Sequence, residues 1–178
     1  MTSVPKEARE QQQYLTFFLS GEEYAISILR VKEIIGYDTV TPIPKTPTWV
    51  RGVINLRGNV VPVVELAVRF GLGEAPVTKT SCIIIVEWQQ ENRDTMMGVM
   101  ADSVSQVMDI SAEDVQPVPA FGTRIIVDYL HGMVQQGKKF ALLLNIDRVL
   151  SADEALSLDA AVMSHEKTGV RDPALTQV

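Results

Sequence analysis

Two histidines, one cysteine and a few neighbouring carboxylates are the side chains of this 178-residue chain that first suggest reaction chemistry. His131 and His165 have no cysteine or carboxylate partners at zinc-ligand spacing; His131 reads as a polar surface residue, and His165 lies in the polar tail. Cys82 has no second thiol to pair with, and within an apolar run it reads as a small buried hydrophobe. Glu22-Glu23 and Asp153-Glu154 fall in a turn and at a helix start, where adjacent carboxylates are solvated. Met96, Met97, Met100 and Met108 are irregularly spaced and suit core filling better than a soft metal site. No phosphate-cradling G-x-x-x-x-G-K-[ST] or G-x-G-x-x-G motif occurs, nor a G-x-S-x-G elbow. The expectation is a protein that is not an enzyme and takes neither cofactor nor metal.

Composition narrows the partners. Hydrophobic residues make up 46% and charged residues 21%, so most of the chain can bury a core. A net charge of -6 opposes nucleic-acid binding, which draws its affinity from Lys and Arg neutralising phosphates. No basic cluster favours an anionic lipid surface. The opening MTSVPKEAREQQQ lacks the apolar stretch of a signal peptide. No apolar run nears the ~20 residues of a membrane-spanning helix. The expected location is the cytoplasm, with any approach to a membrane made through partners.

The elements that would position such residues are short and strand-like. Tyr14–Leu19, Tyr24–Leu29, Val60–Val64, Cys82–Val86, Met96–Met100 and Phe140–Leu144 are rich in β-branched and aromatic residues, and several are apolar on both faces. Gly58-Asn59 predicts a hairpin turn, as does Gly137-Lys138. Pro62 removes a ladder donor and predicts an edge or a bulge. Short helices are expected at Glu65–Phe70 and Ile146–Leu150, and a capping box at 151–154 predicts a C-terminal helix to about Met163.

The same unit occurs twice. WVRGV (49–53) lies on YLHGM (129–133), and VVPVVELAVRF (60–70) on FALLLNIDRVL (140–150) at the same offset. VTPIP (40–44) lies on VQPVP (115–119), and YAISILRVKEII (24–35) on MGVMADSVSQVM (97–108). The first block places YLTFFL (14–19) on CIIIVE (82–87). The expected fold is mainly β: two small tandem barrels related by a pseudo-twofold axis, with short helices and a C-terminal helix. Residues 1–13 read as a flexible arm, 14–80 as the first barrel repeat, 81–163 as the second with its helix, and 164–178 as a polar tail. Exchange of strands between the barrels stays open.

The stretch from Glu22 to Leu66, above all GVINLRGNVVPVVEL (52–66), closely resembles the CheW family of chemotaxis coupling proteins. That fold also occurs in the regulatory domain of the kinase CheA. The likeness runs over about residues 14–163. It implies two five-stranded SH3-like barrels and a non-enzymatic adaptor that couples chemoreceptor cytoplasmic tips to CheA, with ring-like association with itself or with the kinase domain left open. By position, receptor contact would fall on Val31, Glu33, Ile34, Gly52 and Arg57; the kinase-binding residues stay unknown. The bare pattern also accommodates Val31 and Ile34 as core, Glu33 as a solvated strand-end carboxylate and Arg57 as an ordinary turn residue. Trp49 reads as a core or groove-lining aromatic, and Gly52 as structural in any case. A coupling protein of a different sensory array and an SH3-like nucleic-acid-binding module are the alternative readings.

Overall fold

The structure is a computed structural model that describes residues 11–90, 93–119, 128–149 and 154. The strands are β1 (Gln11–Leu19), β2 (Glu22–Ser27), β3 (Val31–Gly36), β4 (Val50–Leu56), β5 (Asn59–Val64), β6 (Cys82–Gln90), β7 (Arg93–Ala101), β8 (Ser103–Ser111), β9 (Leu130–Gln136) and β10 (Lys139–Leu144). A short helix, α1 (Leu66–Arg69), follows β5, and Ile146–Arg148 forms a 3-10 turn after β10. The expected capping box and C-terminal helix lie outside the described residues except for Glu154, as do arm residues 1–10, His165 and the tail.

The strands form two five-stranded sheets in the orders β8-β1-β2-β10-β9 and β3-β6-β7-β5-β4. Replacing each strand of one repeat by its counterpart in the other converts one order into the other. The sheets do not follow the halves of the sequence: β1 and β2 join the strands of the second repeat, and β6 and β7 join those of the first. The repeat boundary near residue 80 is therefore not a boundary between sheets.

The equivalence holds residue by residue. A register break between Val50 and Gly52 on β4 recurs between Leu130 and Gly132 on β9. Thr41 bridges Val53 just as Gln116 bridges Met133. One block corrects the sequence alignment by a residue. Phe17 pairs with Tyr24 as Val86 pairs with Met97, so Phe17 corresponds to Val86 and not to Ile85. Burial explains the correction, because side chains alternate faces along a strand and a one-residue slip reverses all of them. Phe17 and Val86 both enter the large core, whereas Ile85 enters a different one.

Three cores result. The largest lies between the sheets and takes Phe17, Tyr24 and Ile26 from one side and Ile84, Val86, Met97 and Val99 from the other. Ile54, Val61, Val63, Ile83, Ile85 and Met100 fill one barrel, and Ala25, Ile110, Val134 and Leu143 the other. Strand β6 alternates between two cores, which is why its sequence is apolar on both faces. Met97 and Met100 are buried, while Met96 and Met108 pack against the barrel cores.

Four local expectations shift. Residues 11–13, assigned to the arm, begin β1: the three glutamine side chains face solvent while the backbone pairs with Asp109–Ser111. The run Tyr24–Leu29 ends as strand at Ser27, whose hydroxyl accepts from the Leu29 N–H and opens a 3-10 turn over Ile28–Arg30. The hairpin turn sits at Arg57-Gly58, one residue early, with both φ values positive (52° and 87°). The Asn55 carboxamide holds it by accepting from the Gly58 N–H at 2.8 Å. Pro62 lies in an interior strand opposite Val53, whose N–H and C=O are both engaged by Thr41. On the other side the β7 ladder begins only at Val63, although the Pro62 counterpart, Leu142, does pair with Tyr24. The missing donor shortens a ladder and does not force an edge.

Candidate partner-binding site

Strand β3 runs along one edge of its sheet, and a bulge separates Val31, opposite Val86, from Glu33, opposite Ile85. The extra residue, Lys32, pairs with Glu87 at 2.8 Å. Val31 is half-buried and packs against the large core. Ile34, opposite Ile84, is 43% exposed, an unusual position for an isoleucine with a core available on either side.

Arg57, at the tip of the β4–β5 hairpin, donates to both Glu33 carboxylate oxygens, at 2.6 and 2.9 Å. The pair joins the opposite ends of the sheet order β3-β6-β7-β5-β4. In a flat sheet those end strands would lie about 19 Å apart, four strand spacings, so the contact requires the sheet to curl into a barrel. The fork matches the carboxylate geometrically, and its hydrogen bonds hold the Glu33 carboxyl below its ordinary value against the opposing effect of burial. Because the guanidinium is 73% exposed, the pair adds little to stability but presents a fixed dipole at the barrel seam.

Gly52 belongs to the framework behind this face. The segment after β3 crosses β4 there, and a Cβ on Gly52 would lie 2.1 Å from the Thr41 carbonyl oxygen. The structure thus joins Glu33 and Arg57 directly, sets Ile34 next to Glu33 along the strand with Val31 half-buried at the strand's start, and uses Gly52 to hold the strands in place. Trp49 is buried, with the Arg69 guanidinium 5.3 Å from its ring, a core role. Lys45 is exposed at φ 63°.

Sequence reasoning missed several features. Leu29 is 81% exposed at the tip of a turn locked by Arg30, which pairs with Asp147 and donates to the Glu87 carbonyl. Its signal was Ser27, a residue that competes for local backbone donors and ends strands. Glu65 is buried and accepts from Arg51 at 3.1 Å and from the Ala75 N–H at 3.1 Å, tying the loop after α1 to β4. Its alignment with Asn145 marked it, since both precede a helical turn.

His131 is exposed, and Cys82 is buried, with its thiol pushed up by burial and then by Asp102. Among the described residues no group of three or more His, Cys, Asp or Glu could hold a metal ion, and no helix is long and apolar enough to cross a membrane.

Comparison with known proteins agrees with this architecture. The family model for the CheW-like domain matches residues 13–154. The chain is 36% identical to chemotaxis protein CheW of Klebsiella aerogenes, over 93% of this chain and 98% of that one. It is 37% identical to chemotaxis protein CheW of Treponema pallidum, over 84% and 88%. The crystal structure of the scaffolding protein TtCheW from Thermoanaerobacter tengcongensis superposes with a TM-score of 0.72 at 30% identity, over 80% of this chain and 90% of that one. With the family model spanning both sheets and the barrel seam, this chain belongs to the CheW-like domain family.

Proposed function

We propose that this protein is a cytoplasmic, non-enzymatic adaptor that couples chemoreceptor cytoplasmic tips to the regulatory domain of the histidine kinase CheA. The observation that carries the reading is the Glu33–Arg57 pair at the barrel seam beside the half-exposed Ile34. A fixed charge pair next to an apolar anchor suits the flank of an amphipathic helix, whose apolar side chains fill the surface while its polar ones set the register. Val31 and Ile34 serve as anchors, Glu33 and Arg57 as orienting charges, and Gly52 keeps the strand close to Thr41. Relatives named chemotaxis protein and scaffolding protein support the pathway.

Function is then geometric. The large core between the barrels makes one rigid block with faces for receptor, for kinase and for ring-like contacts between homologous barrels. Weak contacts add up because each raises the effective concentration at the next. Kinase control follows only where the adaptor binds two receptor or kinase states unequally.

Reconstitution tests this directly. Receptor cytoplasmic fragments on vesicles, CheA and this protein together should give kinase activity that depends on the adaptor. Kinase activity indifferent to its addition, with no recovery of CheA in a pull-down at micromolar concentration, would refute the reading.

A further inference from the structure

The twofold repeat gives the molecule two copies of the edge strand that carries the candidate site. Strand β8 occupies in its sheet the place of β3. Val104 lies opposite Phe17 as Val31 lies opposite Val86, and Val107 lies opposite Leu15 as Ile34 lies opposite Ile84. A bulge falls at the same point in both strands. Val31 and Val104 pack against the same large core, and Ile34 and Val107 are exposed by 43% and 50%. In apolar shape the two faces are counterparts.

Their charges are not. The place of Glu33 is taken by Gln106, and the place of Arg57, first residue of its hairpin turn, by Gly137. Neither substitute can form an ion pair. A partner that recognised only the apolar anchors would find two sites per molecule.

We propose that Glu33 and Arg57 are the specificity-determining residues that make a helical receptor tip choose the β3 face over its counterpart on β8. The inference rests on the docking reading above and deepens it. Specificity is a difference of affinities, and here the apolar anchors differ only by the one methylene of Ile34 over Val107, leaving the charge pair as the main discriminator. A preference of tenfold or more would leave one site occupied at working concentrations.

Two measurements on the full chain test it, with a purified receptor cytoplasmic fragment as the probe. Amide hydrogen exchange of the wild-type chain should show protection of residues 31–36 on addition of the fragment and no change at residues 103–111. The double variant Q106E/G137R transplants the pair. Gly137 has φ 64°, close to the 52° that Arg57 adopts, so the turn already has the required backbone. Calorimetry should then give two fragments bound per chain in place of one. Equal protection of both strands, or a variant with wild-type circular dichroism that still binds one fragment, would overturn the inference while leaving the docking reading intact. If the variant does not fold, the exchange pattern decides alone. A wild-type chain that binds no fragment, or binds it without protecting residues 31–36, would overturn both.

Discussion

Gly52 and Thr41 approach so closely that no side chain fits between them: a Cβ on Gly52 would stand 2.1 Å from the Thr41 carbonyl oxygen. Gly52 also has φ 145°, and Thr41 is fixed by two hydrogen bonds of 2.9 Å with Val53. Gly52→Ala must therefore break that crossing, and a loss of roughly 3 kcal/mol or more is expected from the strained backbone and the clash together. Gly132 faces Gln116 in the same way, at 2.7 Å, and its alanine variant should behave alike. Urea unfolding of the two variants checks this; a midpoint equal to the wild type in either would show that the crossing yields cheaply.

The Glu33–Arg57 pair predicts a titration. Hydrogen bonds from Arg57 lower the Glu33 pKa below its ordinary 4.5, so the charged form is favoured in the folded state. The linked stabilisation is present above 4.5 and is lost as pH falls through the lower folded value. Carboxyl NMR should place the Glu33 midpoint below 4.5 in the wild type and return it towards 4.5 in Arg57→Gln. Reversing either charge, as Glu33→Lys or Arg57→Glu, should weaken receptor co-sedimentation with the circular dichroism unchanged. Unaltered binding in both would remove the site.

Much of this fold is written in local pattern. Two-sided apolar runs and the doubled V-x-P-[IV]-P element led to a mainly β fold in two equivalent copies, because each copy repeats its turns and its strand crossing, whereas the five strands per barrel came from the family resemblance. What sequence did not show depends on the third dimension. The offset of the first block was a residue off because CIIIVE is apolar at every position but its last, and no polar side marks which isoleucine faces which core. Arg57 in a left-handed turn was passed over because that conformation is uncommon for a bulky residue and is held here by Asn55, two positions earlier. The link between Glu33 and Arg57 spans opposite edges of a sheet. Only barrel closure brings them together, so family resemblance, not spacing, singled out those residues.

Arg69 predicts a joint between the barrels. Its guanidinium lies 5.3 Å from the ring centres of both Trp49 and Tyr129, residues in matching places of the two repeats. Its Nε donates to the carbonyl of Val149, which is its own counterpart, and a terminal nitrogen pairs with Glu154 at 2.7 Å. A stacked series runs from Tyr129 through Phe70 and Tyr24 to Phe17, with ring centres 5.5 to 6.2 Å apart. Arg69→Ala removes two cation–π contacts and a packed stem and should cost about 1–3 kcal/mol. Arg69→Lys should recover part of it. A denaturation midpoint unchanged in Arg69→Ala would show that the aromatics hold the joint without it.

Tyr24 predicts behaviour in alkali. Burial first, and Glu22 second, push its pKa up to about 12, so the folded state favours the neutral phenol. The linked stability is whole below pH 10 and is lost as pH rises through about 12. At pH 11 the tyrosinate absorbance of the folded chain should be the same in the wild type and in Tyr24→Phe. A smaller signal in the variant would mean that Tyr24 ionises together with the less buried tyrosines.

The shared core predicts how the molecule unfolds. Strands β1 and β2 sit in the sheet of the second repeat, and both contribute to the cluster that also takes Ile84 and Val86 from β6. Neither barrel can open alone without exposing its half of that cluster to water, and each fully buried isoleucine or phenylalanine adds about 1.5–3 kcal/mol to the penalty. Among the described residues the barrel core of Ala25, Ile110, Val134 and Leu143 is the smallest of the clusters and holds its sheet less firmly than the shared one does. One cooperative transition should follow, with far-ultraviolet circular dichroism and the fluorescence of Trp49 and Trp88 superimposing in urea. Ile84→Ala should lower the midpoint by the equivalent of about 2–5 kcal/mol without splitting the curve. Ile85→Ala, inside one barrel, should do the same, because the barrels share their fate through the interface between them. Two separated transitions in either variant would mean that the sheets fold independently and that the exchanged strands do not bind them into one unit.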